Sequence, residues 1–572
     1  MKAANRSGAR AKTARFAVVM LIAALWGSLA GCARNGGSPA KDSAGGDPWF
    51  EEVAAQAGVQ FTCRSGHEKE FYFPEIILGG CALFDMDDDG DLDLYLVQGG
   101  SVLPERDDPE GNKLYRNDGS LHFTDVTEGS GAADGGYGIG AAAGDCDNDG
   151  DTDLYITKLG RDTLLRNDGG GKFTDITEQS GTGHPGWGTS AAFLDDDADG
   201  DLDLWVVNYV NWTAEGEFDC YNDFGAQDYC LPTNYGAPAS TVLYRNDGNG
   251  RFTDVSAESG LRTSFGNGLG ITHGDFDRDG RMDVFIANDT MMNQLWLNRG
   301  GGHFEDEALL RGCALDEHGK AKAGMGVVAA DPDDDGDLDV LVVNLDRESD
   351  SFYQNDGDYF SDRTADVGLG AATRPYTRFG VGMIDFDNDG SLDLFEANGR
   401  VQSSPEPISA DPYAEPNQLL RGTSRGVFEE VHPQGGTASP LIATSRGAAF
   451  GDLDGDGGVD IVIVNRDAPV HILHNVVKDR GRWIEFRVRE ASGRDAIGAI
   501  VTATVGERKI RRDVVSAYSY ASANDPRVHL GLGSADRVRD VRVRWADGKG
   551  DFFGDFDANQ VAELRRGTKP IP

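Results

Sequence analysis

Positive charge is scarce in this chain of 572 residues. Lys and Arg number 53 against 96 Asp and Glu, a formal net charge of −43. So acidic a surface disfavours nucleic acid and anionic membrane surfaces as partners. Familiar catalytic motifs are also lacking. There is no G-x-S-x-G, no H-E-x-x-H and no P-loop, and His67-Glu68 has no second histidine at zinc-binding spacing. No catalytic residue is predicted. Aromatics make up only 9% of the chain, and low aromatic content with high acidity is a composition met in disordered proteins. Repeated β-patterned segments argue against disorder here. Glycine, by contrast, is abundant at 78 residues.

What the chain does contain is one stretch that recurs seven times. Its first copy is Asp85-Met86-Asp87-Asp88-Asp89-Gly90-Asp91-Leu92-Asp93, with aspartates at positions 1, 3, 5 and 9 and glycine at position 6. Alternate carboxylates turned inward around a sharp glycine turn are how a short loop surrounds Ca²⁺ with hard oxygen donors. The predicted ligands are Asp85, Asp87, Asp89 and Asp93, then Asp145, Asp147, Asp149 and Asp153, then Asp195, Asp197, Asp199 and Asp203. They continue as Asp275, Asp277, Asp279 and Asp283, Asp331, Asp333, Asp335 and Asp339, Asp385, Asp387, Asp389 and Asp393, and Asp452, Asp454, Asp456 and Asp460. An EF-hand would need Glu at position 12, where the first copy has Leu96, and helices where β-type residues follow. The ions are expected to be mainly structural.

Each loop lies in a longer unit. A Gly/Ala-rich strand precedes it and an apolar strand follows. Then come a segment like Leu114-Tyr115-Arg116-Asn117, an Asn-Asp-Gly turn and a strand like Phe123-Thr124-Asp125-Val126. Four short strands repeated seven times predict an all-β fold, a seven-bladed β-propeller over residues 48–479. The seventh unit lacks its last strand, and Trp49-Phe50-Glu51-Glu52-Val53 has the right character to supply it. From residue 480 the repeats stop, and alternating segments such as Trp483–Val488 and Val541–Trp545 predict a small C-terminal β domain over 480–572. That part carries 18 Lys and Arg against 13 Asp and Glu, so it is basic while the rest is strongly acidic.

Residues 1–32 read as an export signal, and 33–47, rich in Gly, Ser, Ala and Pro, as a flexible tether. Leu29-Ala30-Gly31-Cys32 resembles a bacterial lipobox. The resemblance implies lipidation of Cys32 and an envelope location, outer membrane or cell surface given Ala33 as the next residue. Export permits disulfides. Cys220 and Cys230 are the expected pair, Cys63 and Cys81 a second plausible one, and Cys146 and Cys313 buried singletons.

Inserts at about 98–113, 209–240 and 399–417 fall between the second and third strands of their units. They are expected on the face away from the Asp loops. A polar residue five places after each loop, Gln98, Lys158, Asn208, Asn288, Asn344, Asn398 or Asn465, marks the rim from which they emerge and is expected to tie down local turns. The insert 209–240 holds Tyr209, Trp212, Phe218, Tyr221, Phe224, Tyr229 and Tyr235, aromatics suited to binding sugar or protein.

The repeats resemble FG-GAP/VCBS repeats. The tail resembles the ASPIC/UnbV domain through Gly481-Arg482-Trp483-Ile484, Arg494 to Ala499 and Asp525 to Gly533. Together they are similar to bacterial members of the cartilage acidic protein family, a likeness that implies architecture and carries no common reaction. The expected function is non-enzymatic binding of an extracellular protein or glycan by a calcium-stabilised lipoprotein, its only membrane contact the lipid anchor. The alternatives are a carbohydrate-active enzyme with a site over the propeller axis and a structural subunit of an envelope complex.

Overall fold

The computed structural model describes residues 46–103 and 111–568. The export signal, Cys32 and almost all of the tether lie outside the described residues, as does 104–110 of the first insert. Seven four-stranded antiparallel sheets follow one another along the chain. Blade one is Cys81–Phe84, Asp93–Leu96, Lys113–Asn117 and Phe123–Asp125, and each later blade repeats that order. The first strand of every blade packs beside the first strand of the next, from Cys81–Phe84 round to Ser445–Gly451 and back, so the ring is closed.

Closure depends on the N-terminal strand. Phe50–Glu52 pairs antiparallel with His471–Asn475 and completes blade seven, as its sequence led us to expect. It covers the outer edge of His471–Asn475, as the fourth strand does in every other blade. Phe50 is buried, with its ring edge-on to Phe386 at 5.4 Å and to Phe395 at 6.2 Å. Phe50→Ala should therefore cost about 3–5 kcal/mol, read as a lower urea midpoint for the whole propeller.

Adjacent blades are joined by a device that sequence reading assigned only to turns. The Asn ending the third strand donates its side-chain amide to the position-2 carbonyl of the preceding blade's Asp loop. Asn117, Asn167, Asn246, Asn298, Asn355 and Asn475 do so at 2.6–2.9 Å. The position-2 side chain packs in the same seam. Phe276, for example, meets Phe360 at 6.4 Å between centroids.

The C-terminal domain consists of two sheets. Val528–Gly533, Arg482–Arg489 and Val561–Arg565 form one, and Arg508–Asp513, Ile500–Val505, Arg537–Arg544 and Gly550–Asp557 the other. Ile484, Phe486, Val501, Val541, Val543 and Trp545 are buried between them. This domain packs directly on the propeller, on the face that carries the Asp loops.

Candidate functional site

The Asp loops share one hydrogen-bonding pattern. The position-1 carboxylate accepts the N–H of the position-6 glycine, as Gly90 to Asp85 at 3.1 Å and Gly390 to Asp385 at 2.8 Å. The position-5 carboxylate accepts the N–H of position 7, as Asp91 to Asp89 at 3.0 Å. The position-9 aspartate starts the second strand and fixes the loop to it. One oxygen of Asp93 accepts from Met86 at 2.9 Å and the other from Asn117 at 2.8 Å. The position-6 glycine adopts φ near +97° in the first loop, and Asp88 at position 4 is also left-handed, at +57°. Only glycine takes the first of these without strain.

This wrapping brings like charges together. Carboxylate oxygens of Asp85, Asp87 and Asp93 lie within 4.8 Å of one another, as do those of Asp145, Asp147 and Asp153 and of Asp275, Asp277 and Asp279. In the seventh loop His474 joins Asp454 and Asp460, a member the sequence pattern did not indicate. One oxygen each of Asp87, Asp145, Asp147 and Asp275 is buried with no hydrogen-bond donor among the described residues. Burial, reinforced by neighbouring aspartates, pushes the Asp93, Asp153 and Asp339 carboxyls up to about 8 and those of Asp145, Asp195 and Asp331 up to about 6. Such a set can hold a hard cation through oxygen.

Arginines meet some of the same charge. Within the propeller, Arg421 lies 2.6 Å from Asp387 and 2.7 Å from Asp389, and Arg311 lies 3.4 Å from Asp277. From the C-terminal domain, Arg487 reaches Asp85 at 2.9 Å, Arg544 reaches Asp275 at 2.5 Å and Arg508 reaches Asp334 at 2.6 Å. Arg489 pairs with Asp88. Arg511 donates to the Gly336 carbonyl at 2.8 Å. His529, half-buried and with its pKa pushed down to about 3 chiefly by desolvation, faces the Asn388 amide oxygen at 2.8 Å.

Between its strands the same domain sends residues 516–525 into the propeller axis. Ser519 exchanges two backbone bonds with Val327, the Ala521 carbonyl accepts from Ala141 at 3.1 Å, and the Ala523 carbonyl accepts from Leu83 at 3.0 Å. The plug thus satisfies inner-strand groups that would otherwise face an open channel. Tyr520 is buried and donates to the Ile77 carbonyl at 2.5 Å. A Cβ on Gly80 would come 2.1 Å from the Ala521 oxygen, so that approach requires glycine.

The opposite face gathers the inserts. Ser403 donates its N–H to Asp228 at 2.8 Å and Tyr413 its hydroxyl to the same carboxylate at 2.7 Å, joining 399–417 to 209–240. The rim amides hold the exits: Asn208 donates to the Ser240 carbonyl at 3.2 Å, Asn398 to Pro416 at 2.8 Å and Asn465 to Pro469 at 2.6 Å. Cys220 and Cys230 are joined by a disulfide. Cys63 and Cys81 are not a pair. Both are free and buried, one against the Val97 carbonyl and the other against Ser522, and burial pushes each thiol up to about 12.

The aromatic insert needs a correction. Tyr209 and Tyr229 are fully buried, with hydroxyls on Asp289 at 2.5 Å and Glu75 at 2.9 Å, so they present nothing to a ligand. Tyr235 stacks on Phe73 at 5.1 Å, and Trp212 is half-buried with its indole N–H on Glu217. These four close the second end of the channel. Phe218, Tyr221 and Phe224 remain exposed, at 51%, 62% and 63%.

Comparisons with known proteins agree with this architecture. A family model described as FG-GAP-like repeat matches residues 85–156, 145–206, 225–286, 275–342 and 331–396, together just over half of the chain. One described as ASPIC and UnbV matches 489–571. Cartilage acidic protein 1 of Homo sapiens is 29% identical over 304 residues, 52% of this chain and 43% of that protein. The chain therefore matches less than half the length of that relative. Among solved structures, an Agrocybe aegerita lectin described as recognising non-reducing terminal N-acetylglucosamine is 14% identical over 68% of this chain and 87% of its own, with a TM-score of 0.37. YCF48 bound to a D1 peptide is 10% identical over 70% and 93%, with a TM-score of 0.39. On its repeats and its tail, the chain belongs to the FG-GAP-like repeat family and carries a C-terminal ASPIC and UnbV domain.

Proposed function

We propose that this chain is an exported, Cys32-anchored, Ca²⁺-stabilised propeller that binds an extracellular protein or glycan and catalyses no reaction. The binding reading rests on the disulfide-stapled hairpin of the 209–240 insert, which holds Phe218, Tyr221 and Phe224 out to solvent. Large exposed aromatics beside a second insert suit contact with sugar or protein. A site over the propeller axis finds little support, because Tyr520 fills the channel from one side and Tyr209 and Trp187 from the other. Arg487, Arg489, Arg508 and Arg544 of the C-terminal domain are already engaged by the propeller's own loops, which weakens the reading of these arginines as a dock for an envelope complex. Calcium is favoured over softer metals by the carboxylate oxygens that make up the donor sets of the Asp loops, with His474 of the seventh loop the exception.

Four measurements test this. Chelation should lower the melting temperature markedly, since sites of millimolar to submillimolar affinity contribute about 1 kcal/mol each at millimolar Ca²⁺. The pH dependence should also change sign. Without cation, the folded carboxyls raised to about 6–8 bind protons that the unfolded chain, titrating near about 4, does not. Metal-free stability should thus rise as pH falls from about 8 toward about 4. In millimolar Ca²⁺ it should fall over the same range. Identical melting curves in both buffers at every pH would refute the cation.

On a glycan array and against secreted proteins, the combined variant Phe218→Ala, Tyr221→Ala and Phe224→Ala should lose about tenfold or more in affinity at unchanged melting temperature. Wild-type binding by that variant would remove the hairpin from the reading. Cys32→Ser should shift the protein from the membrane fraction to the soluble one, and continued sedimentation with membranes would exclude the anchor.

A further inference from the structure

One of the seven seams is left open. In six seams the position-2 residue of the Asp loop donates its N–H to the position-9 aspartate, at 2.8–3.2 Å. Its carbonyl accepts the Asn amide of the next blade. Its side chain is Met86, Cys146, Asp196, Phe276, Phe386 or Leu453. Between blades five and six the residue is Pro332, which has no N–H and a small side chain. The latching Asn is replaced by Gly422, where a Cβ would lie 2.0 Å from the Leu392 oxygen, so the backbone itself excludes the amide. No donor among the described residues takes the Pro332 carbonyl. The result is a cavity of about 330 Å³ between the two blades. Its apolar walls are Phe352, Val367, Leu392, Val427 and Phe428.

We infer that this seam is a binding site for the apolar side chain of a peptide, an aromatic or Leu-sized anchor whose amide N–H donates to the Pro332 carbonyl. The six closed seams show what such a position accepts. Each holds an amide N–H on the position-2 carbonyl and, beside it, a side chain filling the seam, and a peptide residue supplies both from outside. The rim agrees with a peptide occupant. Arg363 and Arg425 line the mouth and are paired only with exposed Asp366 and Glu429, at 3.2 and 2.8 Å. Exposed pairs of this kind are weak and exchange readily, so both guanidiniums are available to peptide carbonyls, while Asp333, Asp339 and Asp366 on the same lining disfavour acidic residues beside the anchor. The site is separate from the aromatic hairpin and does not depend on it.

The test uses the full chain with calcium chloride and N-acetyl-L-phenylalaninamide as the probe, read by saturation-transfer NMR. The probe should receive saturation, and N-acetylglycinamide, which lacks the anchor, should not. Pro332→Phe places in the seam the residue that Phe276 and Phe386 place in theirs. It should weaken the probe about tenfold or more while leaving the melting temperature unchanged or higher. Val427→Glu, at the half-buried edge of the cavity, is the second variant and should weaken it likewise. Absence of saturation transfer, equal transfer to the glycine compound, or wild-type transfer in either folded variant would overturn the proposal.

Discussion

The structure depends on how it accommodates several carboxylates in each of seven loops on one face of a disc. Each loop is short, and its fold requires the aspartates to converge, because the same carboxylates supply the acceptors that hold the turn. Asp85 fixes Gly90, Asp89 fixes Asp91, and Asp93 fixes both Met86 and Asn117. Removing an aspartate would therefore loosen the loop as well as relieve repulsion. Backbone donors satisfy some oxygens. They leave the buried ones on Asp87, Asp145, Asp147 and Asp275 without a partner, and a buried anion with no partner is costly. Positive charge has to come from elsewhere.

Part of it comes from the second domain. The C-terminal part carries 18 Lys and Arg against 13 Asp and Glu, a small excess, yet its arginines are placed where the charge is. Arg487 and Arg489 both reach the first Asp loop, Arg544 the fourth and Arg508 the fifth. These contacts orient the domain, and the plug then makes its position unique, since Ser519, Ala521 and Ala523 pair with inner strands of three separate blades. The propeller and the domain thus form one structural unit in which charge and backbone pairing reinforce each other. A cation in the first or fourth loop would act on the carboxylates that Arg487 and Arg544 approach, so occupancy there would be coupled to the docking of the domain.

Much of this was legible in the chain. The Asp spacing, the Phe-Thr-Asp strands and the missing seventh strand are local patterns, and local patterns survive in one dimension. Phe50–Glu52 could be assigned to blade seven because a repeat with one strand too few leaves only one place for a spare strand. The plug could not be read. Residues 516–525 are small and mixed in character, and their pairing partners lie hundreds of positions away. Direction was equally hidden. Tyr209 and Tyr221 stand in the same insert, yet one is buried against Asp289 and the other is exposed. An aromatic in an insert is as able to close the channel as to meet a partner, and only the packing of Phe73, Trp187 and Tyr520 beneath it decides. The Asn of the Tyr-Arg-Asn segments was assigned to its turn, because its second bond crosses to another blade.

These contacts also determine where a partner can approach. The Asp-loop face is covered by the C-terminal domain and its channel is filled. The channel's other end is closed by aromatics of the 209–240 insert. Accessible surfaces include the outer side of the inserts, with Phe218, Tyr221 and Phe224, the outer side of the C-terminal domain, and the side of the disc, where six seams are latched and one is not. A regular propeller would offer equivalent sides at every blade and no preferred direction of approach. Pro332 and Gly422 break that equivalence at a single seam, and the disulfide-bonded hairpin breaks it on a single face. Specificity in this protein is therefore to be sought where the repeat is violated, because the conserved geometry of each unit is already taken up by closing the ring and containing its charge.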